Sequence, residues 1–185
     1  MKIVAIVGSP RANSNTGYLT DLALEEARKL GIETAKFVIT DYKINPCVGH
    51  DECWDFTECP QKDDTESIIR SLYDADGIIL ACPVYYFNVT AQLKAFIDRN
   101  VFYRRHKWRM KARCAGLITV ARNAGNEDTI NALTRYITIS SSITPEKIRQ
   151  VTGIAKLAGE IKGNTAVMEQ ARRLGKEMAS ELLPK

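Results

Sequence analysis

Apolar residues fall into two patterns along this chain, short unbroken runs and longer stretches in which they recur every three or four positions, and the two take turns. Lys2 to Val7 is a continuous β-branched run that stops at Gly8, as expected of a strand covered on both faces of a parallel sheet. Leu19, Leu22, Ala23 and Ala27 then keep helical spacing, with Asn15 or Thr16 as cap and Gly31 as stop. Ile32 to Ile39 reads as a second strand, placed at a sheet edge by its charged Glu33 and Lys36. A helix through Ile68, Ile69 and Leu72, capped by Asp63 and Asp64 and closing near Asp76, leads to a third strand, Gly77 to Cys82. Helix Thr90 to Arg99, strand Ala115 to Val120, helix Thr129 to Ile139, a weaker strand Gln150 to Ala155 and a last helix Thr165 to Leu183 follow. Five successive strand and helix pairs predict an α/β fold with a doubly wound parallel sheet, which confines ligands to loops at the carboxyl ends of strands.

The periodicity lapses at about residues 44–63, where Pro46, Gly49, Pro60 and three cysteines crowd an irregular insertion. At 185 residues with 45% apolar side chains, the chain has the size of one domain spanning residues 1–185. Charged residues make up 26% of it and the net charge is only +4, which excludes a disordered chain and falls short of a nucleic-acid module. Arg104, Arg105, His106, Lys107, Arg109, Lys111 and Arg113 form a basic stretch around Trp108. It reads as a solvated connection, a subunit contact or a dock for nucleotide phosphates, not as a nucleic-acid site. The apolar run at the N-terminus is too short for a signal peptide or a membrane span, so a cytoplasmic protein with no membrane partner is expected. Five cysteines without an export signal are thiols or metal ligands before they are disulfides. Cys82 and Cys114, inside strands, read as small buried hydrophobes.

Three loops carry candidate chemistry. Ser9, Arg11, Ser14, Asn15 and Thr16 follow the first strand at the start of a helix. Hydroxyls, an amide, a guanidinium and unpaired helix N–H groups together suit a phosphate. Neither the Walker lysine nor the three-glycine dinucleotide pattern is present. Pro83, Val84, Tyr85, Tyr86, Phe87 and Asn88 follow the third strand and offer aromatic faces and turn N–H groups to a planar heterocycle. Cys47, His50, Cys53 and Cys59, separated by two, two and five residues, could hold a zinc ion or an iron–sulfur cluster, or stand as ordinary thiols.

The segments GSPRANSNT, the cysteine loop ending in KDD, and CPVYYFNVTAQLKAFIDR in this order resemble the NAD(P)H-dependent FMN reductases and iron-sulfur flavoproteins, from Met1 to about Gly125. The resemblance implies a flavodoxin-like sheet in the order 2-1-3-4-5 and FMN with its phosphate in the first loop. It places the isoalloxazine ring along Pro83 to Asn88, with Arg122, Asn123 and Gly125 of the fourth-strand loop against it. Phe87 stands where many relatives have glycine. Relatives with a cluster carry cysteine at all four ligand positions, whereas His50 replaces the second here, so a 4Fe–4S cluster is implied on three of four. The implied activity passes electrons from NAD(P)H through FMN to a small-molecule acceptor or a redox protein, in a homodimer or homotetramer. A non-catalytic electron carrier is the alternative. Lys94, Asp98 and Arg99 recur in the motif but read as structural, since Lys94 and Asp98 can pair along a helix.

Overall fold

The computed structural model describes residues 1–184. Its strands are β1 (Lys2–Val7), β2 (Glu33–Val38), β3 (Gly77–Pro83), β4 (Cys114–Ala121) and β5 (Ile148–Ile154), with α1 (Asn15–Lys29), α2 (Thr65–Tyr73), α3 (Ala91–Arg105), α4 (Asn126–Ser140) and α5 (Thr165–Leu182) between and after them. The strands form one parallel sheet in the order β2-β1-β3-β4-β5, the flavodoxin-like arrangement expected from the motifs. Val7 pairs with Val38 and Ala81, Pro83 with Val120, and Ala121 with Ile154, so the carboxyl ends lie along one edge.

Side chains alternate across each strand, and both faces are covered. Val4, Ile6, Ile78, Leu80 and Leu117 meet Ile68, Leu72, Phe96 and Leu133 on one side. Ile3, Ala5, Ile79, Ala81 and Ile118 meet Leu19, Ala23, Leu174 and Met178 on the other. This two-sided cover is why β1, β3 and β4 read as unbroken apolar runs. The edge strands β2 and β5 keep exposed positions, β5 in alternation. On the second face α1 and α5 touch backbone to backbone, because a Cβ at Gly175 would overlap the carbonyl oxygen of Ala23.

Three local expectations are corrected. The cap of α1 is Ser14, not Asn15 or Thr16; its side chain accepts from Gly17 N. Asp64 occupies the cap position of α2 without a capping bond, and Asp63 Oδ1 accepts from Thr65 N at 3.0 Å instead. Helix α3 continues six residues past Arg99, because Phe102 and Tyr103 are buried against the core. Arg104 and Arg105 therefore belong to its last turn, where cations offset the helix dipole. The rest of the basic stretch runs below the amino ends of the strands, Arg113 N donating to Asp76 O and Lys111 N to Tyr73 O. That edge is opposite the ligand-bearing one, which removes the stretch from the nucleotide phosphates. Among the described residues no helix is long and apolar enough to cross a membrane.

Candidate functional site

At the carboxyl edge the loops after β1, β3, β4 and β5 meet around one cleft with an enclosed volume of about 70 Å³. Ser9, Arg11, Ser14, Asn15, Thr16, Pro83, Val84, Tyr85 and Arg122, all singled out in the sequence, are brought together in its lining with Val120, Ala155 and Lys156. The first turn of α1 leaves its N–H groups without helical partners, and Ser14 Oγ satisfies only that of Gly17, at 3.0 Å. Ser14 Oγ also lies 3.0 Å from Thr16 Oγ1. The side chain of Asn15 is committed elsewhere: Nδ2 donates to Leu157 O at 2.9 Å and Oδ1 accepts from Ile161 N at 3.3 Å. Asn15 thus clasps the loop after β5 to the loop after β1, and brings Lys156 to the cleft. Thr90 makes a second clasp, donating from Oγ1 to Gly8 O at 2.6 Å while its N–H reaches Cys82 Sγ at 3.3 Å. Burial pushes the Cys82 thiol up to about 11, so it stays protonated and structural.

Tyr85 to Asn88 form a tight hairpin turn, with Tyr85 N to Asn88 O at 2.9 Å and Asn88 N to Tyr85 O at 3.0 Å. Tyr86 and Phe87 sit at φ 47° and 60°, the left-handed pair of a type I′ turn that Asn-Gly usually fills. Two aromatic residues there store roughly 1 to 3 kcal/mol each. The consequence is directional: Tyr86 points wholly into solvent. Phe87 instead leans on Gly125, whose φ of 96° and lack of a Cβ give it room. Tyr86, Phe87, Asn88, Asn123 and Gly125 are therefore not in the lining, and of the aromatics only Tyr85 is. Sequence reasoning missed Ala155 and Lys156; their place just after a strand was the available signal.

The cysteine insertion hangs along α3. Cys47, His50, Cys53 and Cys59 all face one cavity of about 40 Å³, with Arg99, Phe102 and Arg105 on its other wall. Among the described residues, no three His, Cys, Asp or Glu side chains stand close enough to share a metal ion. The loop is held by Arg99. Nη1 donates to Asn45 O at 3.1 Å and to Asp63 Oδ2 at 2.5 Å, and Nη2 to Gln61 O at 3.2 Å and Cys59 Sγ at 3.4 Å. Arg99 and Asp63 have side chains only 3% and 0% exposed. Burial alone would raise the Asp63 carboxyl, but the N–H of Asn45 and the Arg99 guanidinium outweigh it and hold it below the ordinary carboxylate value. Arg105 lies over the Trp54 ring at 4.5 Å and His50 meets Phe56 edge-on at 5.7 Å. Lys94 and Asp98 pair along α3 as expected.

Comparison with known proteins adds a family. The family model described as NADPH-dependent FMN reductase matches residues 1–155. An iron-sulfur flavoprotein of Methanocaldococcus jannaschii is 37% identical over 185 residues, covering 97% of this chain and 96% of that protein. One from Archaeoglobus fulgidus is 35% identical, covering 97% of this chain and 79% of that protein. The solved NAD(P)H:quinone oxidoreductase of Methanothermobacter marburgensis superposes with a TM-score of 0.70 at 15% identity, covering 96% of this chain and 98% of that one, a likeness of fold. A family match over most of the chain, on a sheet whose carboxyl edge carries a hydroxyl- and cation-lined cleft, makes this chain a member of the NADPH-dependent FMN reductase family, and thus a flavin oxidoreductase.

Proposed function

We propose that this chain is an FMN-dependent NAD(P)H:acceptor reductase whose acceptor is a flavin, a quinone or an electron-carrier protein. The observation that carries the reading is the convergence of Ser9, Ser14, Thr16, Arg11, Arg122 and Lys156 on one small cleft at the start of α1. Three cations and free helix N–H groups fit a phosphomonoester, while Tyr85, Pro83 and Val84 offer a flat, partly apolar wall for the attached ring. Bound FMN would supply the redox chemistry, taking a hydride from reduced nicotinamide and passing its electrons on. The chain binds and orients. Ser14 and Thr16 would donate hydroxyl bonds to the phosphate, the turn after β3 would fix the ring edge, and the Asn15 and Thr90 clasps would hold both loops in place before ligand arrives.

The insertion is part of the same proposal. Three thiols and an imidazole around one cavity are a donor set suited to an iron–sulfur cluster. Cys47, Cys53, Cys59 and His50, which line that one cavity, would be its ligands. The relatives named iron-sulfur flavoproteins favour this over zinc. We also propose a single cytoplasmic domain that pairs as a homodimer or homotetramer, with Tyr86 and Phe87, exposed on their strained turn, as contact residues.

The test is a visible spectrum of protein purified without oxygen, with iron, sulfide and zinc assays, followed by anaerobic NADH or NADPH. Flavin bands that bleach with either nucleotide, above a broad iron–sulfur shoulder, are expected. Colourless protein that takes up no FMN would overturn the reading. Zinc without sulfide would remove the cluster and leave the flavin. Sustained turnover with quinone separates an enzyme from a carrier.

A further inference from the structure

The carboxyl edge carries a second cavity, larger than the flavin cleft. About 420 Å³ lies on the other flank of the Pro10 to Ser14 loop, between α1 and the end of β2, within the size range of small-molecule sites. Arg11 and Ser14 line both cavities, so a single loop separates them. The wall carries Arg11, Lys36 and Lys162 against Asp21 and Asp41, and Asp21 already pairs with Lys36 at 2.6 Å. Tyr18 adds an aromatic face, with Lys162 5.1 Å from its ring centroid. Asp41 ends the turn that follows β2.

We infer that this cavity seats the adenosine diphosphate half of the nicotinamide nucleotide. This rests on the reductase reading above and gives it a substrate seat. Each part of that group has a matching neighbour. Lys162 and Arg11 suit the diphosphate, the Tyr18 face suits the purine, and the Asp41 carboxylate accepts from ribose hydroxyls, as an acid at the end of a second strand can do in a doubly wound sheet. The shared loop brings the seat next to the flavin cleft, so a dinucleotide anchored here needs only to cross Pro10 to Ser14 to present its other end. The basic stretch at the opposite edge of the sheet has no such adjacency.

The experiment titrates ADP-ribose, and separately its 2′-phosphate, into the FMN-loaded protein by calorimetry, for the wild type and for Lys162→Glu and Asp41→Ala. Both residues are exposed, outside the flavin lining, and flavin absorbance and melting temperature are followed as controls. At least one probe should bind. Lys162→Glu should weaken it about tenfold and Asp41→Ala weaken plain ADP-ribose about fivefold, on the scale of lost charge-assisted bonds. Tighter binding of the plain probe marks NADH as the source, and tighter binding of the phosphorylated one NADPH. Binding of neither probe, or affinities that stay within about twofold in both variants, overturns the seat. If reduced nucleotide still bleaches the flavin in that case, the reductase reading survives alone. If the probes bind and respond but no nucleotide bleaches the flavin, the seat survives and the reductase reading falls.

Discussion

The guanidinium of Arg99 reaches Asn45, Asp63, Gln61 and Cys59 at once, and its counter-charge Asp63 is fully shielded from water. Removing one member of such a pair leaves the other charge buried and unpaired, which costs about 3 to 5 kcal/mol. Arg99→Met should therefore lower the unfolding free energy from urea titration by that much and loosen the whole insertion, visible as faster labelling of the buried Cys53 thiol. A loss under about 1 kcal/mol would mean water already reaches the pair. The sequence marks Asp63 and Arg99 as polar residues in a helix start and a helix end, 36 positions apart. Nothing local says that they meet. The same holds for Asn15, whose amide looks free for a phosphate in the sequence but is spent on Leu157 and Ile161.

Elements were legible wherever burial was two-sided or one-sided in a regular way. β1, β3 and β4 announce themselves because both faces are covered, and β2 because its charged positions fall at the exposed edge. The last turn of α3 was hidden because that helix buries Arg99 and Asn100 alongside Phe102 and Tyr103, blurring its apolar stripe. The turn after β3 was expected, but its left-handed form was hidden, because the pair is filled by Tyr86 and Phe87, residues that ordinarily point to strand. The contact of α1 with α5 offers a test at this scale. Gly175→Ala drives a methyl into the Ala23 carbonyl, and overpacking of this kind costs about 1 to 3 kcal/mol or more. The melting temperature should fall by roughly 3 to 10 °C with no change in FMN affinity. An unchanged melting point would show that the helices can slide apart freely.

For the whole molecule the ionisable groups set a window of stability. Asp63 is held below its ordinary value of 3.8, so its contribution is complete above that value and is lost as pH falls through the lower folded one. Burial raises Cys82 from 9.0 to about 11, Cys114 from 9.0 to about 12 and Tyr73 from 10.0 to about 12. These groups stay neutral in the fold while the unfolded chain ionises, so their contribution is complete below pH 9 and drains away as pH climbs toward 12. A series of urea midpoints should thus be level through neutrality and decline from about pH 9 upward, and Cys114→Val should flatten that decline. A midpoint that holds steady to pH 11 would contradict this assignment.

The pairing of α1 with α5 joins residues 15–29 to residues 165–182. During synthesis α5 must be made before the first helix can meet its mate, and until then Leu19, Ala23 and the strand face beneath them lie open. Contacts of such long sequence separation form late. A nascent chain stalled before Thr165 should be the species that chaperones hold, and releasing it with the last helix added in trans should restore solubility.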